Sequence, residues 1–355
     1  MISKKIGVVH SIISKNEHLE EIKVKINDNI EKAYNYPDMN GVVNIGDSVL
    51  LNTTAVELSL GTGGYHFVIA NLNNLESNLT GEGHIMKLRY TPLQIKCMTV
   101  EEQDSQYHDK IDNFTSLNNL PVVVGTLHSM LTPFVAAYKK NNPNKKIVYI
   151  MTDGASLPIY LSKNVEILKD KNLIEHTITA GNAFGGDFEC VNIYTALITA
   201  KEVLNADVVF VSMGPGIVGT GTKYGFTGIE QGYILDAVCK LGGRAIAIPR
   251  ISFGDKRDRH KGISHHSITV LKEIVNNKVE IVINVCDDKN KDIIINQIEQ
   301  NNLDKLHNII YINNKNTETD LKYFELKVKS MGRNYEQDRE FFDSASGAAY
   351  YLTEE

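Results

Sequence analysis

The stretch from Arg250 to Ser267, RISFGDKRDRHKGISHHS, concentrates the residue types that do chemistry on anions. Arg250, Lys256, Arg257, Arg259 and Lys261 are opposed there only by Asp255 and Asp258. Guanidinium groups grip phosphate or carboxylate oxygens through paired hydrogen bonds. Ser264 is placed to cap a helix, which puts His265 and His266 in its first turn. At that end the helix dipole disfavours imidazolium and keeps a ring neutral, ready as a base or metal ligand. His260 lies close in sequence. The competing reading is a solvated basic loop with a histidine at a cap.

A second group is the run Gly214-Pro-Gly216-Ile-Val-Gly219-Thr220-Gly221-Thr222. Backbone N–H groups unscreened by side chains form anion-binding nests. Thr227-x-x-Glu230 reads as a capping box, so the next helix would aim its positive end at the same place. Gly214-x-Gly216-x-x-Gly219 also spells the dinucleotide fingerprint. However, Pro215 occupies the turn, several residues separate the motif from the helix, and the next strand ends at Arg250, not at an acid. Gly216-x-x-x-x-Gly221-Thr222-Lys223 misses the phosphate-loop pattern, because lysine must follow the second glycine directly. The bland alternative for this run is a tight connection.

Further candidates are scattered. His128 follows PVVVGTL, Asp153 sits in TDGAS, and GNAFGGDFE carries Asn182, Gly185, Gly186, Asp187 and Glu189. The amide and glycines suit ligand binding, His128 and Asp153 suit proton transfer, and Glu189 suits a general base. His260, His265 and Asp187 form a mixed imidazole–carboxylate set of the kind divalent metals accept, although no compact ligand motif is present. Asp187 is equally well read as the N-cap of a helix starting at Phe188, and Asp153 as a turn residue.

These loops gain meaning from the elements around them. From Pro121 onward, apolar runs alternate with amphipathic ones: PVVVGTL, KIVYIMT, IEHTITA, DVVFVSM, RAIAIP, VEIVINV and NIIYIN read as strands, with helices between most of them. That alternation predicts a doubly wound, mainly parallel sheet of Rossmann-like type. Every chemistry-bearing loop follows a strand, whereas the opposite turns read KKNNPNKK, KDKNL, LNA and LGG. Ligands of open parallel sheets bind beyond the strands' carboxyl ends, so one small-molecule site is expected there. Residues 1–95 read as short strands (IGVVHSII, LEEIKVKIN, VVNIGDSVLLNT, GYHFVIANL, GHIMKLRY) and predict a small β-barrel or sandwich. Residues 96–120 read as a linker, and 121–355 as the α/β domain with a C-terminal helical tail bearing a small-residue face.

The formal charge of -6 on 355 residues argues against a general nucleic-acid surface, and no apolar run is long enough to cross a bilayer. The N terminus reads as a strand and the four dispersed cysteines as free thiols, so a cytoplasmic protein is expected. NTTAVELSLGTGGYHFV, GHIMKLRYTPLQ, MTDGASLP, GNAFGGDFE, MGPGIVGTGT, RHKGISHHS and MGRNYEQD together resemble a bacterial family, domain of unknown function 3866. The resemblance spans nearly the whole chain and implies no activity and no catalytic residue. The expected ligand is a small anionic or phosphorylated molecule, acted on by a transferase or hydrolase, with a divalent metal and a homo-oligomer both compatible. The alternatives are a non-catalytic nucleotide or metabolite sensor and a nucleic-acid module.

Overall fold

The computed structural model describes residues 1–61 and 63–353. The chain divides into two compact units. One comprises residues 1–82 and 88–95; the other comprises 83–87 and everything from 96 onward.

In the smaller unit, β1 (Lys4–Lys15), β2 (Glu20–Ile26), β3 (Asn29–Asn35), β4 (Ser48–Asn52) and β5 (Tyr65–Asn71) close into a barrel of order β1-β2-β3-β5-β4. Only the β3–β5 contact is parallel. Val9, Ile22, Val24, Ile26, Ala33, Val49, Leu51 and Val68 fill the interior. They occupy the inward positions that the two-residue period of a strand dictates. Gly7 is small where the chain closes tightly: a Cβ there would stand 3.0 Å from Leu51. The barrel matches expectation, but its membership does not. NIEKAYN supplies β3, whereas GHIMKLRY yields only the short β6 (Ile85–Lys87), paired with β7 (Ile95–Cys97) outside the barrel.

Residues 96–120 are built into the larger unit. Val100, Ile111, Leu117 and Leu120 are buried in its core, although their spacing follows neither helix nor strand period. Its strands are β8 (Pro121–Gly125), β9 (Ile147–Thr152), β10 (His176–Ala180), β11 (Phe188–Cys190), β12 (Val208–Met213), β13 (Arg244–Ile248), β14 (Ile251–Ser252), β15 (Gly262–Ile263), β16 (Glu280–Asn284) and β17 (Asn308–Ile312). Eight of them form one sheet of order β11-β10-β9-β12-β8-β13-β16-β17, parallel throughout. Val122 and Val124 face one layer of helices and Val123 faces the other, so both sheet faces are dry. Burial on both faces is why these strands read as unbroken apolar runs.

The chain leaving β8 enters the helix Leu131–Asn141 on the Val123 face. The chains leaving β12 and β13 pass to the opposite face, through the helices Glu230–Lys240 and His265–Thr269. Neighbouring strands that send their exits to opposite faces leave a crevice between them. The order β12-β8-β13 therefore opens that crevice over β8.

The C-terminal helix, Arg339–Thr353, lies on the Val123 face, with Phe341, Phe342, Ala345, Ala348 and Ala349 buried. Gly347 meets β16 so closely that an added Cβ would overlap the Asn284 side chain. Asn284 is itself held, donating to the Asn314 and Asp343 carbonyls. Gly347→Ala should therefore lower stability by about 1–3 kcal/mol, the usual range for overpacking a tight contact. Urea unfolding measures it, and an unchanged midpoint would contradict this packing.

Candidate functional site

Three consecutive sheet positions supply the crevice. After β13, the chain makes an antiparallel excursion: β14 pairs with β15, Ile251 opposite Ile263 and Ser252 opposite Gly262. The residues between them swing out and carry a 3-10 turn at Asp258–His260. Ser264 then caps the next helix, its hydroxyl accepting from the His266 N–H, as its sequence position implied. This short ladder holds Arg250 at one root of the excursion and His260 near the other.

Arg250 is 7% exposed. Its Nη2 donates to Asp255 at 2.8 Å and its Nη1 approaches His260 Nδ1 at 2.6 Å. Asp255 also accepts from Arg257 Nε at 3.0 Å and Nη2 at 2.8 Å, with Arg333 3.7 Å away. These cations hold the Asp255 carboxyl far below the usual carboxylate range. Arg333 in turn donates to Asp338, which also accepts from the Ser252 hydroxyl and the Phe253 and Gly254 N–H groups. Arg259 has no acidic partner among the described residues.

After β12, the glycine run folds back on itself. Thr220 N–H donates to the Gly225 carbonyl and Thr227 N–H to that of Val218. Gly216 (φ 114°) and Gly221 (φ 79°) adopt backbone that other residues rarely do. A Cβ on Gly219 would stand 3.2 Å from His266, and one on Gly221 3.8 Å from Arg259. The run thus lies against the cationic excursion. Leu127, Ile217, Val218, Gly219, Gly221, Arg250, Arg257, Arg259, His260, His266 and Met331 line a cavity of about 250 Å³.

The imidazoles sit close together. Centroids of His265 and His266 are 4.0 Å apart, and His266 also stacks on Phe226 at 4.0 Å. Burial, then the nearby arginines, pulls His260 down to about 3. His266 falls to about 4, through burial and then its neighbours His265 and Arg250. His265 moves in the same direction, mainly through burial. All three rings are therefore neutral near pH 7. The Nε2 atoms of His265 and His266 are buried with no hydrogen-bond partner among the described residues.

The trio has ligand atoms within 4.8 Å of one another, which satisfies the spacing of a metal centre. Its surroundings do not favour one. Arginine can only donate, so Arg250 occupies the Nδ1 lone pair of His260. Three guanidinium groups also repel a cation. The set suits an anion better.

The other candidates lie elsewhere in the sheet. Asp187 is tied to Lys169 and accepts from the Thr177 N–H and hydroxyl, so it is neither beside the histidines nor a helix cap. The residues after it form β11, and the helix begins only at Ile193, capped by Asn192. Glu189 thus lies on a strand, not at a helix start. It pairs with Lys87 at 2.5 Å and accepts from the Thr179 hydroxyl and Gly185 N–H. Gly186 N–H donates to Thr179, so Gly185 and Gly186 are engaged within their own loop and form no open nest.

His128 is buried under the crevice, between Tyr149 (3.0 Å) and Ser162 (2.5 Å), and burial lowers it to about 4. Asp153 stands beyond the glycine run and accepts from the Asn182 N–H at 3.0 Å. The capping box does not form: Thr227 binds the Val218 N–H, and Glu230 turns to accept from Thr152 at 2.6 Å. Burial, with Asp153 adding to it, raises Glu230 to about 7.

Sequence reasoning missed Met331, Arg333 and Asp338. They lie in MGRNYEQD, a segment it assigned to the C-terminal helix, which in fact starts at Arg339. The signal available was an arginine and an aspartate flanking Gly332 and Asn334, residues poor at continuing a helix.

No curated protein and no solved structure matches the chain. Residues 32–349 match the family described as protein of unknown function (DUF3866), and the chain belongs to that family.

Proposed function

We propose that the cavity over β12, β8 and β13 binds a small anionic, phosphorylated molecule. One observation carries this reading: Arg250, Arg257 and Arg259 converge on a cavity that no carboxylate lines among the described residues, which also leave Arg259 uncompensated. The glycine run supports it, because its small residues let backbone approach the ligand closely. Leu127, Ile217, Val218 and Met331 supply an apolar wall for the rest of the molecule.

Arg259→Ala should weaken binding about 10- to 100-fold, since a hydrogen bond to a charged group contributes roughly 1.5–3 kcal/mol. The measurement is calorimetry with glycerol phosphate, alongside mass spectrometry of whatever co-purifies with the native protein. Absence of any phosphate or sulfate binding by the wild type would overturn the reading. A second reading, transferase or hydrolase chemistry on that ligand, is favoured by His266, which lines the cavity and whose Nε2 is unpartnered among the described residues. Neutral imidazoles can accept a proton at neutral pH. His266→Ala should then cut conversion of the co-purifying molecule far more than it weakens its binding.

A further inference from the structure

We propose that the ligand is a phosphate monoester held as its dianion, with a single phosphate on a small body. This rests on the anion-site reading above and narrows it to one chemical class.

Charge points to a dianion. Arg250, Arg257 and Arg333 are joined through one network to two carboxylates, Asp255 and Asp338, and Arg259 lines the same cavity with no acidic partner among the described residues. Four guanidinium groups against two carboxylates leave two positive charges. Lys256, Asp258 and Lys261 are exposed and do not line the cavity. A dianion matches that excess. A monoanion leaves one charge uncompensated, and a triphosphate exceeds it.

His260 is fixed as a donor. It is 2% exposed and lines the cavity. Arg250 Nη1 lies 2.6 Å and the Ser264 hydroxyl 2.8 Å from its Nδ1. Because arginine has no lone pair to offer, Nδ1 must accept and the neutral ring's proton must sit on Nε2. That Nε2–H has no hydrogen-bond partner among the described residues. An unpaired donor in the lining of a cavity is open to a ligand oxygen. The N–H groups of Gly219 and Gly221 likewise make no hydrogen bond among the described residues. With no carboxylate among the described lining residues to repel it, the site favours the form that has lost both protons.

Size points the same way. A cavity of about 250 Å³ falls below the roughly 300–1,000 Å³ of pockets that enclose drug-sized ligands. A nucleoside diphosphate or a dinucleotide exceeds it. The apolar side of the lining takes a few carbons.

The test is calorimetry on the full chain at fixed ionic strength, from pH 8 to 5.5. The probes are glycerol phosphate, sulfate, dimethyl phosphate and acetate. Glycerol phosphate and sulfate should bind at least about tenfold more tightly than the two monoanions, a gap of about 1.4 kcal/mol. Glycerol phosphate should weaken as acid converts it to the monoanion, whereas sulfate, a dianion throughout, should hold its affinity. The groups facing His260 are Arg250, Arg257, Asp255 and His265, with Arg259 and His266 beside them. The arginines and Asp255 keep their charge over this range. Arg259→Gln removes one charge and should erase the preference for dianions.

If neither phosphate nor sulfate binds, the anion-site reading fails and the inference fails with it. If monoanions bind as tightly as dianions, the inference alone falls. It also falls alone if sulfate tightens tenfold on acidification, which would mean the histidines bind as cations.

Discussion

Replacing Lys87 by methionine should lower the unfolding free energy by about 3–5 kcal/mol, the loss expected when one partner of a buried ion pair is removed. Lys87 is 1% exposed. Its ammonium donates to the Thr179 and Ala183 carbonyls at 3.1 and 2.5 Å and pairs with Glu189 at 2.5 Å. That satisfies all three donors of the group. Methionine keeps the length of the side chain and leaves Glu189 buried without a cation. Burial already raises the Glu189 carboxyl against the pull of Lys87. Lys87→Met with Glu189→Leu should recover more than half of the loss, because the uncompensated charge goes with its partner. Urea midpoints with unchanged slope are the measurement. A shift below about 1 kcal/mol in the single variant would show that the pair contributes no more than a surface one.

His128 and His260 should each draw stability down between about pH 6 and pH 4.5 by up to about 1.4 kcal/mol per pH unit, against an opposing contribution from Glu230, whose raised carboxyl takes up its proton first in the folded chain. His128 and His260 are buried, with values lowered to about 4 and about 3 in the folded chain. In the unfolded chain both titrate near 6.5. Across that window the unfolded state binds two protons that the native state refuses, so acid favours unfolding. The stability is complete above the unfolded value and is lost as pH falls through the folded values. His265 and His266 act in the same direction. Below about pH 4, the Asp255 carboxylate, held far below its ordinary value by Arg257 and Arg250, adds to the loss. His128→Gln should remove about 1.4 kcal/mol per pH unit of that fall. A pH profile identical in the variant and the wild type would mean the ring is charged or solvated when folded.

The large sheet was legible because each central strand is dry on both faces. VVVG, IVYIMT and VVFVSM announce themselves by unbroken apolarity. The same property made the loop edge legible. β3 was not, because only Ala33 of NIEKAYN points into the barrel core and the strand carries Glu31 and Lys32. β11 was hidden because three residues before a capped helix look like the helix itself. Within the site, Arg250, Arg257, Arg259, His260, His266, Gly219 and Gly221 come together because loops of adjacent strands must meet. Asp187, Glu189, Gly185 and Gly186 follow β10, which stands two strands from β12 in the sheet. At about 4.8 Å per strand, that offset alone is about 10 Å. Strand order decides that separation, and a single sequence does not reveal strand order.

The path of the chain bears on how the two units can be inherited or exchanged. Residues 83–87 belong to the larger unit, yet they are flanked on both sides by barrel residues. A gene fragment encoding residues 96–355 would therefore omit the lysine that neutralises Glu189, and one encoding 1–95 would carry that lysine away unmatched. The units are compact in space but not separable by one cut. Swapping the barrel for another while keeping the larger unit whole requires three junctions, after residues 82, 87 and 95. A permuted chain that joins residues 83–87 directly to residue 96 is the form in which the larger unit should stand alone.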